Sequence, residues 1–135
     1  MTYLVDANVL SEPTRPAPDS KVIDWLSANE RDLVVDSIVL GELCMGILAL
    51  PLGCKRIQLE QWFEAVVRTI DCLPWDAAIA RRWALLVVNL KRTGEPLPLL
   101  DGMIAATALQ HDLTVATRNT RDFRKTGVKV LNPFE

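Results

Sequence analysis

Tyr3-Leu4-Val5-Asp6-Ala7-Asn8-Val9-Leu10 is the stretch that decides the fold class. Three residues of strand character run into an acid, then an amide, then apolar residues able to start a helix. This order places a carboxylate at the carboxyl end of a first strand, where open parallel sheets bind their ligands. Working outward, Leu33-Val34-Val35 reads as a second, buried strand, and residues 70–73, 113–116 and 128–131 as three more. Helical patterns fill the gaps. Asn8 is expected to cap a short helix broken by Pro13, Pro16 and Pro18, and Asp19 or Ser20 to cap a second. Ser37 is expected to cap a helix over 38–50, and a longer helix spans 55–68. Asp76 caps one running to Thr93 before Gly94, and residues 100–110 form an Ala-rich one. Strands alternating with helices mean an α/β fold with a mostly parallel sheet.

The totals are consistent with this reading. A chain of 135 residues suits one domain, over 1–135, and a hydrophobic content of 50% supplies a core. The net charge of −2 argues against nucleic-acid binding by bulk electrostatics and leaves a local patch or metal ions as the route. Cys44, Cys54 and Cys72 lack zinc or disulfide spacing and are expected as buried free thiols. No apolar run reaches the roughly 20 residues of a membrane span, and the start does not resemble a signal peptide, so a cytoplasmic protein is expected.

Most acids lie on polar helix faces, but four positions do not. Asp6 ends an apolar strand. Glu42 is the only charge between Asp36 and Lys55, so its helix is expected to be largely buried and its carboxylate paired, protonated or bound to a cation. Asp101 heads another apolar helix, where Gly102 would let a ligand or backbone approach. Thr117-Arg118-Asn119-Thr120-Arg121-Asp122 follows the fourth strand and collects an acid, an amide, hydroxyls and guanidiniums. Each position alone could be a helix cap or polar turn; together they can face one crevice. Clustered carboxylates repel one another and need a counter-charge, and oxygen-only ligands favour Mg²⁺ or Mn²⁺ over zinc. The lone His111 makes a serine-hydrolase or zinc-hydrolase mechanism hard to build.

At this spacing the chain resembles a PIN-domain ribonuclease of the VapC/FitB-like toxins. The resemblance rests on Leu4 to Glu12, on Ser37 with Gly41-Glu42-Leu43 and Gly46, on Asp101 to Ala108, and on Leu113 to Asn119. It implies a five-stranded parallel sheet of order 3-2-1-4-5, Mg²⁺ or Mn²⁺ at the acids, and metal-assisted endonucleolytic hydrolysis of RNA. Asp6, Glu42 and Asp101 match the three acidic positions, and Asn8 and Ser37 the supporting polar ones. Asn119 stands where many members have a fourth acid, with Asp122 as the alternative. Arg118 and Arg121 are candidates for phosphate contacts or for ion pairs with Asp101 or Asp122, and Arg81, Arg82, Lys91 and Arg92 could extend a basic face. The family also implies a homodimer and a cognate DNA-binding antitoxin. Trp25, Trp62, Trp75 and Trp83 give that some support, since an aromatic exposed near Trp62-Phe63 would suit an interface. A rival reading is a PIN-fold RNA- or protein-binding module that has lost catalysis. A receiver-type phosphoacceptor would want an acidic pair before the first strand, where Met1-Thr2 stands, and a haloacid-dehalogenase-type phosphatase wants D-x-D, not Asp6-Ala7-Asn8.

Overall fold

The computed structural model describes residues 1–135. Its strands are β1 (Tyr3–Val5), β2 (Leu33–Asp36), β3 (Asp71–Leu73), β4 (Thr114–Ala116) and β5 (Lys129–Leu131). They form one five-stranded sheet in the order β3-β2-β1-β4-β5, and every pairing is parallel. This is the expected α/β sheet with the expected order. The central strands are apolar along their length because both faces are covered: Leu4, Val5, Val35, Val115 and Ala116 are fully buried.

The helices are α1 (Ala7–Leu10), α2 (Ser20–Ala28), α3 (Ser37–Leu48), α4 (Cys54–Thr69), α5 (Ala77–Arg92), α6 (Leu99–His111) and α7 (Thr120–Arg124). Asp19 and Asp76 cap α2 and α5 as the sequence suggests. Two other caps fall one or two residues earlier than expected. Asp6 caps α1 while Asn8 lies inside it. Asp36 caps α3 by accepting from Val39 N–H at 2.8 Å, and Ser37 is an exposed first-turn residue. In both cases the last extended residue is itself a good capping acid, so the helix starts directly behind it.

Helix α3 is not largely buried. Val39, Leu43 and Ile47 face the core, but Met45 and Leu48 are 59% and 57% exposed. Its lack of charges therefore marks an uncovered apolar flank. The cysteines also differ from expectation, because Cys54 and Cys72 are exposed and only Cys44 is partly covered. Cys54 opens α4 and Cys72 lies on the edge strand β3, where neither side chain meets the core. The tryptophans are all partly buried, with Trp25 edge-on to Tyr3 and Trp75 edge-on to Trp83. Trp62 and Phe63 pack against the core, so the exposed apolar surface is aliphatic, not aromatic.

Helix α6 reaches deepest into the structure, and its small residues explain how. Ala105 and Ala108 belong to the core cluster, and Ala106 is also fully buried. Gly102 faces the Trp83 indole, where an added Cβ would lie 3.6 Å from Nε1, an ordinary contact. Gly102 therefore lies against the α5 side chain Trp83 and lines a cleft with Lys91 and Leu99. Enlarging the buried face should displace the helix. Ala105→Leu is expected to cost about 1–3 kcal/mol or more, read as a lower urea midpoint; an unchanged midpoint would mean that the α6–sheet contact has slack.

Candidate active site

Strands β1 and β4 are neighbours, and both end on the same side of the sheet. There Asp6 N–H donates to Ala116 O at 2.9 Å. The Asp6 carboxylate is 4% exposed, and its oxygens are held from three sides. Ala7 N–H donates to Oδ1 at 2.8 Å, Thr117 Oγ1 to Oδ2 at 2.8 Å, and Asn8 Nδ2 to Oδ2 at 3.2 Å. Asn8 also spans the two strand ends, because its Oδ1 accepts from Arg118 N–H at 3.1 Å. Asn8 thus orients the acid, though it does not cap the helix.

Glu42 comes from α3. It is half-buried, and its Oε1 is buried without a hydrogen-bond partner. Asp101 comes from the first turn of α6, whose N-cap position is Pro98, so its carboxylate is not spent on a cap. Asn119 follows β4 and donates through Nδ2 to Asp101 Oδ2 at 2.8 Å and to Asp122 Oδ2 at 3.1 Å. Its amide presents its NH₂ group, not its oxygen, to these acids, so it ties them together. Asp122 also pairs with Lys125 at 3.2 Å.

The electrostatics link five acids, Asp6, Asp36, Glu42, Asp101 and Asp122, across these elements. Burial pushes Glu42 up to about 7, with the charges of Asp6, Asp101 and Asp36 adding to it. Burial and the charges of Asp6 and Asp122 push Asp101 up to about 6, against the Asn119 hydrogen bond. Burial also raises Asp6, despite its three donors. No lysine or arginine forms an ion pair with Asp6, Glu42 or Asp101. Arg118 instead stacks its guanidinium over the Phe134 ring at 3.7 Å. Arg121 is exposed, so neither arginine makes the ion pair considered from sequence.

Sequence reading passed over Asp36, Thr107 and Thr117. Asp36 is 1% exposed and accepts from Thr107 Oγ1 at 2.7 Å. Burial raises its pKa and the Asp6 charge adds to the shift. Its signal was an Asp–Ser pair in which either residue could cap. Thr117 was visible only as one hydroxyl in a polar block.

The donor set is one of oxygens alone, with an orphaned buried Glu42 oxygen and carboxylates that raise one another. That chemistry fits a hard divalent cation. As placed, no three acidic, thiol or imidazole side chains converge to ligate one ion directly.

The sequence matches the PIN domain family over residues 3–129. The chain is a PIN-domain protein. It is similar to the toxin FitB of Neisseria gonorrhoeae, 38% identical, with 97% of each chain covered. It is also similar to the VapC ribonuclease Y4jK of Sinorhizobium fredii, 35% identical over 98% of this chain and 97% of the relative. A solved structure of FitAB bound to an IR36 DNA fragment contains a chain that superposes with a TM-score of 0.93 at 36% identity, covering 99% of this chain and 96% of that one. The PIN domain here thus carries amide chemistry at Asn119 beside three unneutralised acids.

These raised acids fix the sign of a pH effect. Glu42 and Asp101, with ordinary values of 4.5 and 3.8, bind protons more tightly folded than unfolded. Between about pH 4 and 7 the unfolded chain has shed protons that the folded one retains, so stability falls as pH rises. In EDTA, the melting temperature of wild type should decline across that window more steeply than that of Glu42→Gln. Parallel curves for the two proteins would contradict this picture of Glu42.

Proposed function

We propose that this PIN domain is a divalent-cation-dependent endoribonuclease and the toxin of a toxin–antitoxin pair. One observation carries the reading: Asp6, Glu42 and Asp101 are electrostatically coupled at the carboxyl end of the sheet, with no basic side chain to neutralise them. The names of the relatives, a toxin and a ribonuclease, support it. The relative solved as FitAB on DNA supports a companion DNA-binding antitoxin. No helix is long and apolar enough to cross a membrane, in keeping with a cytoplasmic site of action on RNA.

Asp6, Glu42 and Asp101 would hold Mg²⁺ or Mn²⁺, partly through water. When bound, the cation would lower the pKa of a water and offset charge developing on the phosphoryl oxygens. The remaining work falls to the chain. Thr117, Asn8 and Ala7 N–H fix the Asp6 carboxylate, so it meets the cation in one orientation. Asn119 fixes Asp101 in the same way. It would support a metal-holding acid in place of adding a fourth charge, and a second cation would find fewer charged partners here. Thr107 holds Asp36, and Asp36 anchors the first turn of α3, the helix that carries Glu42. Arg118 would have to leave the Phe134 ring to reach a substrate phosphate, whereas Arg121 is already exposed.

Asp6→Asn and Asp101→Asn keep the side chain's shape and one acceptor oxygen while removing a buried charge, so the fold should survive. Each is expected to slow cleavage of a fluorescent RNA by about a hundredfold or more, and to relieve growth arrest in a bacterial host. EDTA should abolish wild-type cleavage, and Mg²⁺ or Mn²⁺ should restore it. RNA that is bound but left intact in saturating Mg²⁺ would favour the binding-module reading.

A further inference from the structure

A groove leads away from Glu42 along α3, and the acidic site does not use it. Its near end is a cleft of about 270 Å³ between α1, α3 and α4, lined by Asn8, Glu42 and Trp62 among others. A second cleft of about 260 Å³ continues it, with Leu50, Arg15 and Lys55 in its walls. Ser11, Thr14, Gly46 and Leu59 line both. From Glu42 to Leu48, where α3 ends, the helix advances six residues, roughly 9 Å, and Leu50 lies just beyond it.

The chemistry of this groove is ordered along its length. At one end is the orphaned Glu42 oxygen. In the middle, Ser11 Oγ donates to Ala7 O at 2.7 Å and Thr14 Oγ1 donates to Ser11 O at 2.6 Å. Both hydroxyl protons are thus spent on the backbone, and the wall presents acceptor lone pairs. Trp62 and Leu59 add apolar surface opposite. At the far end stand two cations: Lys55 is exposed and makes no ion pair, and Arg15 is 61% exposed, with only a long 3.7 Å contact to Glu12. The neighbouring Arg56 is unavailable, since it is tied to Glu60 at 2.8 Å.

We propose that this groove is the track for single-stranded RNA flanking the scissile bond, with Arg15 and Lys55 holding a backbone phosphate at its far end. The sequence of chemistries matches such a strand. A phosphate at the acids is followed by donor groups, the ribose 2′-OH and base amines, facing the Ser11 and Thr14 acceptors. Base faces meet Trp62 and Leu59, and a further phosphate meets two cations. Acceptors in mid-groove favour ribose over deoxyribose, because only the former brings a donor there. The proposal rests on the ribonuclease reading and adds to it the path of the substrate.

Gly46 makes the track testable. It is exposed on α3, and a Cβ built there meets nothing within 4 Å. Gly46→Leu therefore starts from an open position, projects bulk into the groove and replaces a helix-interior glycine with a better helix former. Binding of a labelled single-stranded RNA oligonucleotide is measured by fluorescence anisotropy in EDTA, where no cleavage is expected. Gly46→Leu is expected to weaken binding about tenfold or more, without lowering the melting temperature, while Gly46→Ala stays near wild type. Lys55→Glu should weaken binding and lower the slope of log affinity against log salt by about 0.7. With Mg²⁺ present, both variants should raise KM far more than they change kcat. If wild type cuts RNA and both variants bind it as wild type does, the groove assignment falls and the ribonuclease reading stands. Should Gly46→Leu at the same time escape its antitoxin, the groove belongs to the protein partner and the proposal is likewise overturned. A wild type that neither binds nor cuts RNA removes the ribonuclease reading itself, and the track with it.

Discussion

The hydrogen bond from Thr117 to Asp6, 2.8 Å long, joins the ends of β1 and β4 and holds a carboxylate almost out of water. The rest of the site is arranged around the cost of that placement. A buried carboxylate is tolerable only if donors or positive charge reach it. Asp6 gets donors from Thr117, Asn8 and Ala7 N–H, yet its pKa is still raised. Glu42 and Asp101 stand in its field with fewer donors and are pushed further. The arginines that might relieve them are engaged elsewhere or turned to solvent. The folded chain is thus left with negative charge that it does not neutralise itself.

Much of this was legible in the sequence, for a physical reason. A parallel sheet covered on both faces writes its strands as short apolar runs, so the strands around Val5, Val35 and Val115 stand out, and their ends point to Asp6 and Thr117. Asp101 stands out because it is set among apolar residues, although alone it could equally be a helix cap. What failed was finer. Capping depends on which of two adjacent polar residues is the last extended one, and the Asp36–Ser37 pair looks the same either way. A scarcity of charge, as on α3 with Glu42 alone, does not report burial, because composition does not separate a covered apolar face from an uncovered one. The direction of the Asn119 amide is set by Asp101 and Asp122 together, and Asp101 lies far from it in the chain.

Helix α3 carries much of this architecture. Its start is pinned by Asp36 and Thr107, its core face packs through Val39, Leu43 and Ile47, and Glu42 projects from between these anchors toward the acids. Its remaining side has two characters, a glycine-floored groove at Gly46 and the exposed pair Met45 and Leu48. The same helix carries Glu42 and part of the groove wall beyond it.

The sheet itself ends on both sides in strands of three residues, β3 and β5. So short an edge offers an incoming strand little backbone to pair with, and the charged Lys129 on β5 discourages it further. Extension of the sheet from one copy to the next, the usual start of ordered aggregation, is blocked at both borders. Any assembly of this chain is steered instead to its helices, where Leu85 and Val88 on α5, Leu99 on α6 and Met45 and Leu48 on α3 lie open. Contacts made through side chains in this way can be exchanged between partners without disturbing a single strand.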